Sequence, residues 1–169
     1  MSSPFNDWAV YAHKDDTGLG RIDNDLHTVL GFGVHLVIPS ERLVDHPLDG
    51  ISEYWLPANA SEESICALLT GLDGILFFER HAWHPQILRI ARGMGVATVC
   101  VPMWEWFNGH AQEWQYFDMF ACPSRFTERI VRSYGFTNTI QAFMRLPQRD
   151  VRPTVRLPKE VPLPHSITM

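Results

Sequence analysis

Apolar residues in this chain are concentrated in short runs, separated by stretches in which apolar and polar positions follow helical spacing. Runs rich in Val, Ile and Phe, without alternating polar positions, are typical of strands buried on both faces of a parallel sheet. Five runs of this kind and an indicated sixth predict strands at residues 8–13, 35–40, 73–79, 96–102, 118–124 and 138–144. Helix-like stretches lie between them, at residues 20–30, 61–70, 85–94 and 124–134.

Local signals mark the ends of these predicted helices. Ser61, followed by Glu62 and Glu63, suits a helix start, because a serine can cap free amides and acids favour the positive end of the helix dipole. Glycines at 95 and 135 stand where helices stop before the next strand. The alternation of strand and helix predicts a single Rossmann-like three-layer α/β domain over residues 1–144, with a mostly parallel sheet of at least five strands.

The stretch 145–169 differs from the rest of the chain in composition and charge. It holds five prolines and a net charge of +3, whereas the remaining residues carry a net charge of −8. We interpret this basic, proline-rich tail as an extended or loosely ordered segment that resembles an interdomain linker. The acidic body argues against broad gripping of duplex nucleic acid, which relies on many Lys and Arg contacts, although local patches remain compatible with it.

The cysteines and the apolar runs also bear on location. Cys66, Cys100 and Cys122 lie in apolar settings without metal-like spacing, which indicates reduced thiols in a cytoplasmic protein. No apolar run reaches the length of a membrane span, and the first residues lack the layout of a secretory signal. We therefore expect a cytoplasmic protein without a transmembrane segment.

The stretch "HKDDTGLGR", which follows the first predicted strand, is the first candidate ligand site. In parallel sheets of this class, ligands bind beyond the carboxyl ends of the strands. Glycines let the backbone approach a ligand, while the two aspartates would repel a phosphate and accept hydrogen bonds from hydroxyl groups. The alternative is a turn whose acids favour the helix dipole. The residues predicted to bind ligand here are Asp16, Thr17, Gly18, Gly20 and Arg21.

Candidate catalytic side chains follow the third predicted strand. Glu79 ends an apolar run, where a buried carboxylate is costly unless it has a partner or a task. It is either a crevice carboxylate that accepts a proton or half of a strand-end ion pair with Arg80. His81 is a candidate base, and with His84 it has the spacing of a metal pair, but no third ligand is near in sequence, so we predict no metal site.

Further candidates follow the fourth and fifth predicted strands. Glu105 stands between Trp104 and Trp106, which would combine a carboxylate with a stacking face for a sugar ring or base, although tryptophans also fill cores and rims. Arg125 begins a predicted helix and is either a phosphate contact or a solvated surface arginine. Both stretches would open on the same crevice as Glu79.

Taken in order, "DDTGLGR", "ILFFER", "TVCVPMWEW" and "ACPSRFTERIVRSYGFTN" followed by "LP" resemble the N-terminal half of GT-B glycosyltransferases of the group 1 type. The resemblance covers most of residues 7–150. It implies the acceptor-side domain of an enzyme that transfers a sugar from a nucleotide-sugar, the donor substrate, to a hydroxyl acceptor. No cofactor besides that substrate is implied.

The second, donor-binding domain of such enzymes has no counterpart in this chain. The resemblance therefore favours an acceptor-side half that acts with a separate donor-binding chain or by self-association, incomplete on its own. Two alternatives stay open: a non-catalytic sugar- or nucleotide-binding module, and an adaptor whose tail docks a partner. The face toward the second domain is expected to be apolar, with "VPMWEWF" and "PSRFT" as its main contributors.

Overall fold

The computed structural model describes residues 3–14, 18–38, 50–79, 84 and 86–142, and strands and helices alternate along most of this part of the chain, as predicted. The strands are β1 (Trp8–His13), β2 (Val34–Ile38), β3 (Ser52–Trp55), β4 (Gly74–Phe78), β5 (Ala97–Val101), β6 (Met119–Cys122) and β7 (Thr139–Gln141). The helices are α1 (Gly18–Leu30), α2 (Glu62–Leu69), α3 (Ile87–Met94) and α4 (Arg125–Ser133), with a short 3-10 helix over Gln112–Tyr116.

All seven strands form one sheet in the order β3-β2-β1-β4-β5-β6-β7, and every neighbouring pair is parallel. The central strands β1 and β4 are buried along most or all of their length, which explains their uninterrupted apolar sequences. The prediction of a Rossmann-like three-layer α/β domain with a mostly parallel sheet is confirmed.

Side chains on the two faces of the sheet belong to two separate clusters. One cluster joins Tyr11 and Phe77 to the buried faces of α2, α3 and α4. The other joins Val10 and Leu76, which point to the opposite face, to Leu26 of α1. Successive residues of a strand alternate between faces, so one sheet supplies both clusters.

Helix ends follow the sequence signals closely. The Ser61 hydroxyl accepts the Ser64 N–H at the start of α2, and the Ser124 hydroxyl accepts the Thr127 N–H at the start of α4. Gly95 ends α3 in the left-handed conformation, with φ of 76°. The predicted helix start at Ser61 and the predicted helix end at Gly95 are both confirmed.

Some predicted boundaries differ from those observed. The prediction missed β3, because this short edge strand (Ser52–Trp55) is half-exposed and lacks an apolar run. The last residues of the runs predicted at 35–40 and 138–144, and the whole tail 145–169, lie outside the described residues. Within the part of the chain that the structure describes, no helix is long and apolar enough to cross a bilayer.

Candidate functional site

The order of the strands defines where a crevice forms. The chain runs outward from β1 to β2 and β3, and then returns to the other side of β1 to form β4. The two connections leave β1 and β4 in opposite directions, so the carboxyl ends of these two strands flank the reversal point at which open α/β sheets bind ligands. Glu79 directly follows Phe78, the last residue of β4.

The backbone of Glu79 has a conformation that disfavours side chains. Of the residues that the structure describes, Glu79 is the one non-glycine residue with positive φ, at 73°. A left-handed conformation costs an L-residue about 1–2 kcal/mol. Two contacts with β5 hold it in place: its N–H donates to the Val101 carbonyl at 2.9 Å, and its carbonyl lies 3.6 Å from Cys100 Sγ. Burial keeps Cys100 a thiol, the form that donates, by raising its pKa.

The Glu79 carboxyl group is half-buried and electrostatically coupled to Glu105. Burial is the larger cause that raises the pKa of Glu79, and the negative charge of Glu105 raises it further. The charges of two of the three predicted catalytic residues, which belong to loops after adjacent strands, therefore lie within electrostatic range of each other. A carboxylate whose pKa moves toward neutrality is a stronger base than an ordinary surface glutamate.

The loop after β5 presents Glu105 between two exposed tryptophans. The N–H groups of Trp106 and Phe107 both donate to the Met103 carbonyl, which closes a tight turn. Phe107 is buried and packs on Trp114, with ring centroids 4.6 Å apart. This anchor fixes the turn, so Trp104, Glu105 and Trp106 remain at the surface.

A ring contact connects this loop to the start of α4. Trp104, whose exposed fraction is 49%, meets the exposed Phe126 edge to face, with ring centroids 5.6 Å apart. Phe126 follows Arg125, which is exposed in the first turn of α4, after the N-cap Ser124. Trp104 and Arg125 thus lie on one surface, at the N-terminus of α4.

The loop after β1 is described only in part. Gly18 and Gly20 belong to the first turn of α1, and Gly20 is buried. The backbone of Arg21 is helical, whereas Asp16, Thr17 and the Arg21 side chain lie outside the described residues. Convergence of this loop on Glu79 stays a prediction. Lys14 at its start forms an ion pair with Glu53 at 2.6 Å, which ties the end of β1 to β3.

Two other sequence predictions fall on undescribed residues. His81, proposed as a base, and Arg80, the alternative ion-pair partner of Glu79, lie outside the described residues. The described part of the chain contains no group of three or more His, Cys, Asp or Glu side chains arranged to hold a metal ion.

Phe126 was predicted only as part of "PSRFT", a contributor to the expected apolar face, and not as a ligand-binding residue. The sequence did contain a signal for this residue, because it is an aromatic residue in the otherwise polar first turn of α4 and is not among the buried residues of that helix. The contact with Trp104 depends on the packing of α4 beside the β5 loop, which the local pattern does not specify.

The candidate site therefore comprises a half-buried carboxylate of raised pKa, a second carboxylate, two exposed rings in contact and an arginine at a helix start, and their convergence on one ligand stays a prediction. This set suits a ligand that combines hydroxyl groups with an apolar ring face. Protein-family models and curated proteins give no match to this chain.

Proposed function

We propose that this chain is an acceptor-side, sugar-binding domain that acts in glycosyl transfer from a nucleotide-sugar to a hydroxyl acceptor. The donor half would come from a separate chain or a second copy. The observation that carries the proposal is Glu79, held in an unfavourable conformation at the crevice, half-buried and within electrostatic range of a second carboxylate. Structural roles do not require these features together.

In this proposal Glu79 removes the proton of the acceptor hydroxyl while the oxygen of that hydroxyl forms the new bond to the anomeric carbon of the donor sugar. The bond from that carbon to the nucleotide breaks, and the leaving diphosphate takes the electron pair. Glu105 supports the reaction by keeping the pKa of Glu79 raised. The donor-binding partner supplies the positive charges and amides that stabilise the leaving group.

Trp104 and Phe126 provide the ring-binding surface. The faces of pyranose rings carry C–H groups that pack on aromatic rings, and the exposed ring pair offers this surface next to Glu105, which follows Trp104 in the chain. Arg125 and the N-terminus of α4 are suited to hold a hydroxyl or phosphate group at the edge of the ligand.

The alternative is a non-catalytic sugar- or nucleotide-binding module. The observation that favours it is the exposed Trp104–Phe126 pair, which can bind a ring without any chemistry. In that case Glu79 and Glu105 serve only as hydrogen-bond acceptors for ligand hydroxyls.

Calorimetry with a panel of nucleotide-sugars and oligosaccharides tests binding. Trp104→Ala should weaken binding at least about tenfold, equivalent to about 1.4 kcal/mol. Trp55→Ala is the matched control, because Trp55 is exposed to a similar extent (46%) but lies on β3, at the far edge of the sheet. Absence of binding to the whole panel, or equal losses in both variants, contradicts a sugar site at Trp104.

Transfer is then measured with a donor-binding partner present. Glu79→Gln should retain sugar binding and reduce transfer by at least about 100-fold, as expected for loss of a general base. Glu105→Gln should shift the acidic limb of the rate profile to lower pH, because it removes a cause of the raised pKa of Glu79. Transfer that survives Glu79→Gln would instead favour the binding module.

A further inference from the structure

Strand β3 ends the sheet on one side, and its outer edge is unpaired. Within the described residues, β2 is the one strand that pairs with β3. The Ser52 N–H donates to the Gly33 carbonyl at 3.0 Å, so the backbone groups of Ser52 and Tyr54 point toward β2. Successive residues of a strand point their backbone groups to opposite sides, and those of Glu53 and Trp55 therefore point outward, along the unpaired edge.

The side chains at this edge are accessible and largely aromatic. Tyr54 and Trp55 are both 46% exposed, although Leu36 and Val37, their neighbours in β2, are fully buried. Aromatic residues favour strands and stabilise cross-strand pairs. An exposed strand edge of this composition is a template for pairing with another chain.

The edge lacks the features that usually prevent such pairing. Natural edge strands carry unpaired charges, prolines or bulges. The four residues of β3 include no proline, and all four pair with β2 in continuous register. Glu53, their one charged residue, forms an ion pair with Lys14 at 2.6 Å, and both side chains are mostly buried. Strand β3 therefore presents no uncompensated charge to an approaching strand.

We propose that a second copy of this chain pairs with this edge, β3 antiparallel to β3, about a two-fold axis at Tyr54. In this register Glu53 lies opposite Trp55 of the second copy and Trp55 lies opposite its Glu53. The outward backbone groups of each such pair exchange two hydrogen bonds. Tyr54 lies opposite Tyr54 of the second copy, where the two Cα atoms are about 4.5 Å apart.

Self-complementarity favours a second copy of β3 over the other edge of the sheet as the partner. The two-fold register satisfies the outward groups of both strands and places no like charges opposite each other, as a closed dimer contact requires. At the other edge, β7 has three residues, and the side chains of Thr139 and Gln141 are hydrogen-bonded to Glu128 of α4. Pairing of β3 with β7 would also leave unpaired edges that extend into filaments.

The contact goes beyond the proposed function and does not depend on it. Four strand spacings, roughly 19 Å, separate β3 from β5 and the Trp104 loop that follows it. Trp104→Ala should therefore leave the dimer intact, so that loss of sugar binding and loss of dimer are measured separately.

Disulfide trapping in the full chain tests the register. Cys66, the one cysteine that is not buried, is first replaced by alanine. Tyr54→Cys in this background should form a disulfide between two copies under mild oxidation, because the two Cα atoms are within disulfide range. Trp55→Cys, at an equally exposed position, is the matched control. Its two copies lie diagonally, about 7–8 Å apart, and should give at least about fivefold less linked dimer.

Charge substitution tests the association without a covalent bond. Sedimentation of the parent chain should show a dimer whose fraction rises with concentration. Tyr54→Lys places two like charges opposite each other and should weaken the dimer at least about tenfold. Ile140→Lys, at a 47% exposed position on β7, should leave it unchanged. Mixing Tyr54→Lys with Tyr54→Glu chains should restore the dimer, because opposite charges then meet, and circular dichroism checks that each variant is folded.

Three results would overturn the proposal. The first is a parent chain that stays monomeric at every concentration. The second is an equal loss of dimer in Tyr54→Lys and Ile140→Lys, or no recovery in the mixture of Tyr54→Lys and Tyr54→Glu. The third is a disulfide that forms with Trp55→Cys at least as readily as with Tyr54→Cys.

Discussion

Acidification should destabilise this protein through two buried histidines. His27 of α1 and His35 of β2 are both buried, with ring centroids 4.9 Å apart. Burial is the main cause that lowers the pKa of His27 to about 4 and that of His35 to about 3. His27 and Lys14 lower the pKa of His35 further, while Glu53 acts in the opposite direction on His27.

The sign and size of the effect follow from proton linkage. A histidine in the unfolded chain has a pKa of about 6.5, so between pH 6.5 and about 4 the unfolded state binds more protons than the folded state. Stability is therefore full above pH 6.5 and falls as the pH decreases toward the folded-state pKa values. At pH 5 each histidine costs about 2 kcal/mol, and the pair about 4, a large fraction of the 5–15 kcal/mol typical of a domain.

Urea unfolding at pH 7, 6 and 5 measures this loss. His35→Gln should reduce the change in unfolding free energy between pH 7 and pH 5 by about half, whatever its effect at pH 7. His110→Gln, at an exposed position, is the matched control and should show the same change in unfolding free energy between pH 7 and pH 5 as the parent. The raised pKa of Glu79 acts in the opposite direction, but it is common to the parent and to both histidine variants. The reasoning would be refuted by an unfolding free energy that is constant from pH 7 to pH 5, or by an equal change of unfolding free energy with pH in the His35→Gln and His110→Gln variants.

Three further predictions concern stability. Phe77 of β4 is fully buried, and Phe77→Ala should lower the unfolding free energy by about 3–5 kcal/mol, measured by urea titration. Val29→Ala, on the exposed side of α1, is the control and should change it by less than about 0.5 kcal/mol. Ser124→Ala removes the N-cap of α4 and should cost about 1 kcal/mol, and a loss no larger than that of Val29→Ala would contradict the capping role. Glu79→Gly should stabilise the fold by about 0.5–1 kcal/mol in thermal or urea melts, because glycine accepts the positive φ. If Glu79→Ala were as stable as Glu79→Gly, the backbone of residue 79 would not be strained.

The fold was predictable where burial dominates the sequence. Strand β4 (Gly74–Phe78) is buried throughout, and its apolar run therefore predicts a central parallel strand without ambiguity. At the sheet edge the same rule fails. Tyr54 and Trp55 of β3 are half-exposed, and the charged Glu53 directly precedes them in the strand. Edge strands mix polar and apolar positions, so their sequences resemble loops.

The candidate site was predictable only as far as chain order determines it. Glu79 and Glu105 each follow a central strand, and adjacent parallel strands end at the same edge, so their proximity follows from sequence. The contact of Trp104 with Phe126 depends instead on how α4 packs beside the β5 loop. Side-chain packing between distant segments has no local signal in a single sequence.

The conformation of Glu79 connects these two levels. A glutamate at the end of an apolar strand breaks the pattern of its surroundings, and this was visible in the sequence. The structure adds a second departure from local preference, since the same residue has a positive φ that glycine would adopt without strain. Local preferences and tertiary structure agree elsewhere in the central strands, and departures that coincide at one residue are characteristic of functional positions. Because β5 fixes the Glu79 backbone through Val101 and Cys100, the strain is sustained by the fold, and it directs a half-buried carboxyl group to the edge where the strand order reverses.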